Sequence, residues 1–277
     1  MRKAQLKNIN WILTHLNKHA NLDKPEEINQ YIAYLKFTDN YKRHLTEVYG
    51  RYLNYQKIPY TRPHYDRTAK QIKIPTEEKI KMIIAESGKT LATKLTLSLE
   101  TGIRPVELCN LKVKDIDLEQ RLVYPTTAKH GAPRTLKISN TLTTLIQTHI
   151  TRKNLNPNDK LFKAEPKHYG DEFRRVKNRL AKKLNDPTLR TIRLYDLRHF
   201  YATMLYHKTR DILYVKQQMG HKRIENTMVY TQLLNPNDDE WTCKATTNTN
   251  EATQLIESGF EYVATTPDAL MLFRKRK

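Results

Sequence analysis

The chain has 277 residues, with 49 Lys and Arg against 29 Asp and Glu, so its formal net charge is +20. A field of that sign and size attracts polyanions, and nucleic acid is the expected partner. The sequence has no long apolar run, signal-peptide pattern or lipidation signal, which argues against a membrane partner. Two cysteines, Cys109 and Cys243, indicate neither a disulfide framework nor a thiolate metal cluster.

The length suffices for two domains with ordinary cores. Residues 1–58 are predicted to form a small helical domain, because apolar residues recur there at helical spacing. Pro25 suits the first turn of the second of three helices, and Thr38 is expected to cap the third. The apolar faces are Leu6, Ile9, Leu13 and Leu16, then Ile28, Ile32 and Leu35, then Tyr41, Leu45, Val48 and Tyr52.

Helical periodicity fails over residues 59–75. Three prolines and a scatter of Lys and Arg predict an extended, basic linker there. The linker is expected to separate the N-terminal domain from a larger one over residues 76–234. Most of the positive charge is central, since residues 66–234 contain 33 Lys and Arg against 17 Asp and Glu.

The larger domain is predicted to be mostly helical. Thr76 is expected to cap its first helix, and a second helix covers about 90–100. Residues 121–138 predict a short β-hairpin, with Gly131 where a tight turn needs a glycine and Lys129 near the tip. Further helices are predicted from Ser139 to about Arg152 and at about 168–184, 195–207 and 210–219.

Residues 235–277 differ from the rest in charge, with five Lys and Arg against seven Asp and Glu. Their pattern predicts a small α+β appendage made of a strand, a helix and two further strands. The predicted elements are 241–245, 250–258, 260–264 and 270–274. A slightly acidic balance disfavours contact with DNA, so a protein–protein role is expected for this tail.

Two arginines stand in contexts suited to binding one phosphate. Arg104 follows Thr-Gly and precedes a proline, at the expected start of a short helix, and Arg198 lies within a predicted helix. A guanidinium can fork onto two phosphate oxygens, and two of them would stabilise a five-coordinate transition state. The alternative is that both arginines are ordinary surface residues, since the chain is rich in basic residues. Glu107 either orients Arg104 by an ion pair or is a solvated helix residue.

A lysine and a histidine are candidates for proton transfer. A lysine desolvated against DNA can have a lowered pKa and protonate a departing oxygen. Lys129 on its hairpin fits this role, with Lys112 and Lys137 as competitors, and simple phosphate contact is the alternative. His221 follows Gly220, where a helix should end. It can hydrogen-bond a phosphate or a phenol, or it is merely a helix-capping histidine.

The candidate nucleophile is Tyr230, which stands nine positions after His221 and 32 after Arg198. Attack by a phenol on a phosphodiester gives a phosphotyrosine and a free hydroxyl, and the reverse step needs no ATP. No metal is required where arginines and a lysine neutralise the charge. Rival tyrosines fit helix patterns and are expected in the core; these are Tyr201, Tyr206 and Tyr214.

In this order and spacing, the residues resemble the catalytic domain of the tyrosine recombinase (phage integrase) family. The matching stretches within 76–234 are Thr101-Gly-Ile-Arg104-Pro-Val-Glu-Leu108, Lys129 in a hairpin, Tyr195-Asp-Leu-Arg198-His-Phe-Tyr-Ala-Thr203, Met219-Gly-His221 and Tyr230. Residues 1–58 resemble the helical core-binding domain of that family, and the tail resembles appendages of archaeal-type, Xer-like integrases. The resemblance implies a mainly α, two-domain fold with a small β-hairpin or sheet and an α+β tail.

One position departs from the family pattern. The family usually has a histidine three residues before its second arginine, and this chain has Tyr195. A phenol with an ordinary pKa of about 10 can bind a phosphate oxygen but cannot act as a histidine-like base near neutrality. The resemblance therefore leaves His221, His199 or water to accept the proton of the nucleophile. Tyr195 is expected to support phosphate binding or only to pack.

The resemblance implies a site-specific DNA recombinase that cleaves and rejoins double-stranded DNA attachment sites without a metal or organic cofactor. Arg104 and Arg198 would be the family arginines, and Lys129 the general acid. A homotetramer on DNA is implied, with a monomer or dimer when free, no membrane partner and a cytoplasmic, nucleoid-associated setting. A type IB-like topoisomerase or a catalytically degenerate DNA-binding protein is the alternative. The N-terminal helices and the stretch 197–203 favour the recombinase.

Overall fold

The computed structural model describes residues 3–67, 72–128, 131–231 and 241–276. It confirms a mainly helical protein with small antiparallel sheets. The helices are α1 (Lys3–Asn17), α2 (Pro25–Tyr34), α3 (Asp39–Tyr55), α4 (Glu77–Ala85), α5 (Lys89–Thr101), α6 (Pro105–Leu108), α7 (Asn140–Lys153), α8 (Pro166–Lys183), α9 (Asp196–Thr209), α10 (Ile212–Met219), α11 (Glu225–Met228) and α12 (Thr249–Glu257). The strands are β1 (Ile116–Asp117), β2 (Leu122–Val123), β3 (Leu136–Lys137), β4 (Trp241–Thr246), β5 (Glu261–Thr265) and β6 (Met271–Arg276).

The chain divides into two compact units, Met1–Gln71 and Ile72–Lys277. In the first unit α1, α2 and α3 pack the predicted apolar faces around one core, except for Leu6, which is 43% exposed, so its predicted core position is wrong. Thr38 precedes α3, but its side chain makes no capping hydrogen bond, so that prediction is wrong. The start of α3 is instead closed through the backbone, where the Thr38 carbonyl accepts from the N–H of Tyr41 at 2.8 Å.

The segment predicted as a linker is partly packed onto the first unit. Tyr60 and Tyr65 lie against the core of the three helices. The hydroxyl of Tyr60 donates to Oδ1 of Asn29 at 2.9 Å. The division between the two units falls after these contacts, between Gln71 and Ile72. Among the described helices, none has both the length and the apolar character needed to cross a membrane.

Helix α5 lies at the centre of the second unit, where it contacts α4, α6, α7, α8 and α9. Its polar residues are accommodated by partners inside the core. Lys94 is 2% exposed, pairs with Glu172 and lies over the ring of Tyr169, with 5.0 Å between Nζ and the centroid. Ser98 and Tyr169 share a hydrogen bond of 3.0 Å. This rigid helix fixes the segment that follows it, which carries Arg104.

Strands β1, β2 and β3 form a small antiparallel sheet in that order. The predicted pairing of the hairpin arms is confirmed, with Leu122 opposite Lys137. Residues 124–135 connect the two strands, and the N–H of Gly131 donates to the carbonyl of Ala128 at 3.1 Å, while the two residues between them lie outside the described part of the chain. A Cβ at Gly131 would lie 3.0 Å from the carbonyl oxygen of Gly220, so close backbone approach explains this glycine.

The tail has the predicted order of strand, helix, strand and strand. Its sheet is antiparallel in the order β4, β6, β5. Helix α12 covers one face, where Ala252 and Leu255 form a small core with Phe273 of β6. Thr249 begins the helix after Asn248, whose side chain accepts from the N–H of Asn250 at 2.8 Å. The tail therefore has its own small apolar cluster.

Candidate active site

The site begins where α5 ends. Gly102 adopts a left-handed conformation with φ of 58°, and a Cβ there would lie 2.4 Å from Cδ1 of Tyr201. Only glycine fits such a position without strain. The chain then turns into α6, with Arg104 at the N-cap and Pro105 in the first turn, as predicted. Gly102 precedes Arg104 and Pro105 follows it, and both restrict the backbone. The backbone of Arg104 is therefore held in one place.

Glu107 orients Arg104, which confirms the ion-pair hypothesis. Oε1 of Glu107 lies 2.7 Å from Nη1 of Arg104, and Oε2 accepts from the backbone N–H of Arg104 at 3.1 Å. The Glu107 side chain is fully buried, and Arg104 is 13% exposed. A carboxylate that binds both the backbone and the guanidinium of one arginine restricts the side chain to one direction.

Glu107 also binds two groups that the sequence did not indicate. Nη2 of Arg134 donates to Oε2 at 2.6 Å, and the N–H of Ala128 donates to Oε1 at 3.1 Å. Burial by itself raises the pKa of Glu107, yet the Arg134 hydrogen bond and charge, helped by Ala128 and Arg104, lower it to about 2. The carboxylate is therefore ionised at neutral pH. No sequence pattern distinguishes Arg134 from Arg121, the other arginine of the hairpin region, because its burial depends on packing.

Arg198 is the second predicted arginine, and it is almost fully buried in α9. Nη1 donates to the carbonyl of Gly102, and Nη2 donates to the carbonyl of Met219 at 2.5 Å. These are carbonyls at the ends of α5 and α10, where helices leave acceptors unpaired. Burial, and then the charge of Arg104, lower the pKa of Arg198 to about 10, so the guanidinium is charged at neutral pH.

His221 lies beside Arg198, directly after the left-handed Gly220 that ends α10. Nη2 of Arg198 donates to Nε2 of His221 over 3.2 Å. Since arginine cannot accept, Nε2 is unprotonated, and Nδ1 carries the proton that it donates to Oγ1 of Thr227 at 3.0 Å. Burial and the charges of Arg198 and Arg104 lower the pKa of His221 to about 4. The imidazole is therefore neutral.

Tyr230 lies two residues after α11 and is 2% exposed. Its ring packs with Ala202, Val215 and Met219. The phenolic oxygen lies 3.2 Å from Nδ1 of His199. Burial raises the pKa of Tyr230 to about 12, although the charge of Arg198 acts in the opposite direction. The phenol is thus neutral and lies within the electrostatic field of the arginines.

The rival tyrosines differ in their surroundings. Tyr201 and Tyr206 are partly buried against the same apolar cluster as Tyr230. Tyr214 is 41% exposed, so its predicted core position is wrong. On α10 it follows Asp211, whose side chain caps the helix through the N–H groups of Leu213 and Tyr214. Its ring therefore lies on the outer face of that helix.

Tyr195 precedes α9 and is 43% exposed. Its ring meets that of His199 edge to face, with 5.2 Å between centroids and 71° between planes. His199 in turn lies between Tyr195 and Tyr230. Tyr195 is therefore accessible to a ligand, while its ring supports the histidine.

The structure brings three of the six predicted residues, Arg104, Arg198 and His221, into one hydrogen-bond network around Gly220. Arg104 donates to the Gly220 carbonyl at 3.4 Å, and Arg198 links the ends of α5 and α10 to His221. Tyr230 lies in the same short segment as Thr227, which is the hydrogen-bond partner of His221. The ring of Tyr195 contacts the ring of His199, which in turn contacts Tyr230. The sixth, Lys129, lies outside the described residues.

The residues on either side of Lys129 are anchored at this site. Ala128 is bound by Glu107, and Gly131 donates its N–H to the Ala128 carbonyl at 3.1 Å. The next N–H, of Ala132, points at the Gly220 carbonyl at 3.3 Å. Both ends of the short stretch that contains Lys129 therefore meet the arginine network.

Two arginines, a neutral histidine and a buried tyrosine thus lie close together in the second unit. In a comparison with known families, the model described as the phage integrase family matches residues 74–236. The chain belongs to the phage integrase family, and it is a tyrosine-type site-specific recombinase.

Curated relatives carry the same activity in their names. Tyrosine recombinase XerA of Saccharolobus solfataricus is 27% identical over 235 residues, which cover 84% of this chain and 76% of that protein. Tyrosine recombinase XerA of Pyrococcus horikoshii is 30% identical over 162 residues, 57% of this chain and 56% of that protein. The chain thus spans about three quarters of the first relative and a little over half of the second.

The fold also has solved neighbours. A structure of the Tn1549 transposon integrase in complex with transposon right end DNA superposes with a TM-score of 0.66. The alignment covers 94% of both chains at 15% identity. At that identity the likeness concerns the fold, and the mainly helical architecture with small sheets is confirmed by it.

Proposed function

We propose that this protein cleaves and rejoins strands of double-stranded DNA at specific attachment sites, with Tyr230 as the nucleophile. The observation that carries the proposal is the position of the Tyr230 phenol, which lies beside His199 and within the electrostatic field of Arg198 and the oriented Arg104. The net charge of +20 supports a polyanionic partner. The Tn1549 transposon integrase, a neighbour in fold, is itself bound to transposon DNA in its solved structure.

The scissile phosphate would be bound between Arg104 and Arg198. Among the described residues, Nε of Arg198 is buried and has no hydrogen-bond partner, which leaves one donor for a ligand oxygen. Glu107 holds Arg104 ready through two contacts. Two charged guanidiniums aimed at one phosphate stabilise the charge that develops as the fifth bond to phosphorus forms.

The attack forms a bond between Oη of Tyr230 and phosphorus and breaks the bond to the 5′-oxygen. Lys129 would protonate that oxygen, and its anchored neighbours Ala128 and Gly131 support this assignment. His221, neutral and held between Arg198 and Thr227, would support the phosphate site by orienting the Arg198 guanidinium. We assign the hydroxyl of Tyr195 a supporting contact with the same phosphate.

The stoichiometry of recombination extends the proposal to assembly. Each chain supplies one Tyr230, and exchange between two duplexes requires four strand cleavages. Four copies of the chain would therefore act together on two sites. We assign DNA contacts to both the helical unit of 1–58 and the catalytic region of 76–234, joined by 59–75. The tail of 235–277 is assigned a contact between copies, because its charge is slightly acidic.

The test begins with covalent capture, which itself reveals the attachment site. Fragments of the source genome are incubated with the protein, and DNA that stays attached to protein in detergent is recovered and sequenced. The captured sequence is then made as a nicked duplex, which traps the covalent adduct because the short cleaved strand diffuses away. We expect an adduct with the wild type and none with Tyr230→Phe.

The matched control is Tyr206→Phe, which removes a phenol from the same apolar cluster. This variant is expected to retain the adduct. An adduct that persists in Tyr230→Phe would exclude Tyr230 as the nucleophile. Failure of the wild type to form any adduct would favour a DNA-binding role without catalysis. Relaxation of plasmids that lack the captured site would favour the topoisomerase.

A further inference from the structure

The acceptor of the Tyr230 proton needs a new assignment in this chain, because position 195 is a tyrosine. His199 places Nδ1 at 3.2 Å from the phenolic oxygen, within hydrogen-bond distance. The two rings are tilted by 50°, with centroids 5.8 Å apart. The phenol is nearly excluded from water, so a protein group rather than bulk solvent has direct access to its proton.

We propose that His199 is the general base that accepts the Tyr230 proton during attack on the phosphate. The inference rests on the proposed function. As the bond from Oη to phosphorus forms, the Oη–H bond breaks and its proton moves to Nδ1. The bond from phosphorus to the 5′-oxygen breaks, and that oxygen takes a proton from Lys129. In the rejoining step Nδ1 returns its proton to the departing phenol.

His221 is unsuited to the same role. Both of its ring nitrogens are engaged, Nε2 by the guanidinium of Arg198 and Nδ1–H by Thr227. Protonation of Nε2 would place a second cation against Arg198, which is the physical reason its pKa is low. His199 has the phenol itself as a partner, and proton transfer there follows an existing contact.

The base must be neutral before attack, and the surroundings of His199 favour that form. Burial lowers its pKa from the ordinary 6.5, while Asp196 raises it and Arg193 and Arg198 lower it. The groups that face the imidazole are Tyr195, Asp196 and Arg198 of its own segment, Arg193 before it, and Tyr230 and His221 from the segments packed against it.

The transfer must accompany attack rather than precede it. The pKa of the Tyr230 phenol is about 12, whereas that of His199 lies below 6.5, so a phenolate does not accumulate. The phenolic proton becomes far more acidic as Oη bonds to phosphorus, and a base in contact with it then lowers the barrier. The ring of Tyr195 holds the imidazole edge to face in that position.

The decisive variant is His199→Asn, because Oδ1 of asparagine takes the place of Nδ1 and still accepts from the phenol but cannot take its proton. We expect the cleavage rate on the captured nicked duplex to fall by about 10²–10⁴-fold, the usual contribution of a general base. His207→Asn, on the same helix two turns further along, is the matched control and should cleave at the wild-type rate.

A structural role is distinguished by pH dependence and by rescue. The wild-type rate should be level above the pKa of His199, whereas the rate of His199→Asn should rise about tenfold per pH unit between about 7 and 9, with the phenolate fraction. Added imidazole should restore cleavage to His199→Ala but not to Tyr230→Phe. Melting curves of all variants establish that they are folded.

Wild-type cleavage by His199→Asn would overturn the inference while leaving Tyr230 as the nucleophile. A loss that imidazole does not restore, with a pH profile parallel to the wild type, would also overturn it and reduce His199 to a packing residue. An adduct absent from the wild type itself would overturn the proposed function, and the base assignment with it.

Discussion

Replacement of Glu107 by glutamine tests the buried centre of the arginine network. The amide keeps the size of the side chain and removes the charge that balances Arg104 and Arg134. The pKa of Glu107 lies at about 2 instead of 4.5. At 1.36 kcal/mol per pKa unit, ionised Glu107 contributes about 3 kcal/mol to the free energy of unfolding at neutral pH. We expect Glu107→Gln to lose about this amount.

The sign of the pH dependence follows from the lowered pKa. A carboxyl group whose folded-state pKa is depressed contributes its full stability above the unfolded-state value of 4.5. The contribution is lost as the pH falls toward about 2, because protonation removes the charge in both states. The difference between wild type and Glu107→Gln is therefore expected to be constant near neutrality and to shrink between pH 4.5 and 2.

The assay is a urea titration in which hydrogen exchange is read by mass spectrometry on peptides of α5, so that the second unit is followed separately from the first. Glu119→Gln is the matched control, since Glu119 is exposed in the same region. A loss below about 1 kcal/mol, or a difference that does not change with pH, would refute the conclusion that an ionised carboxylate holds the two arginines.

Three further predictions concern the turn before Arg104, the departure at position 195 and the tail. Gly102→Ala should destabilise the second unit by about 2–4 kcal/mol in the same urea assay, because of its left-handed backbone and the clash with Tyr201; an unchanged midpoint would contradict the steric argument. Tyr195→Phe should keep the stability, since the residue is 43% exposed, and slow cleavage by up to about tenfold through loss of one hydrogen bond. Cleavage at the wild-type rate would reject a phosphate contact for the hydroxyl. Phe273→Ala should destabilise the tail by about 3–5 kcal/mol and speed hydrogen exchange in β4–β6 and α12 alone, with α5 as the internal reference. If the tail amides stay protected from exchange, the small core around Phe273 is not what holds the tail together.

The helices were predictable because their signals are local. Thr76 and Ser139 cap α4 and α7 as the sequence indicates, and Gly102 and Gly220 end α5 and α10 in the left-handed conformation. Such signals depend on side-chain spacing and on backbone freedom within a few residues. Thr38 failed as a cap although it stands at the correct boundary, because the rotamer of its hydroxyl is not determined by the local sequence.

The hairpin shows what a local pattern leaves out. The alternation of its arms indicates pairing, which the structure confirms, and a glycine between the arms suggests a turn but says nothing of long-range contacts. Gly131 is needed for contact with Gly220, almost ninety positions away along the chain. A close approach between two distant backbones leaves no local pattern that separates it from an ordinary turn.

The sequence by itself determined the order Arg104, Lys129, Arg198, His221 and Tyr230, and with it the family, because that chemistry depends on residue types at recognisable helix ends. Only the tertiary structure decided how charge and protons are arranged around Tyr230. It buries Glu107 between Arg104 and a second, unsuspected arginine, Arg134. It also engages both nitrogens of His221 and brings His199 to the phenol. Burial and hydrogen-bond partners are set by segments that are distant in the chain, and these fix pKa values and proton positions.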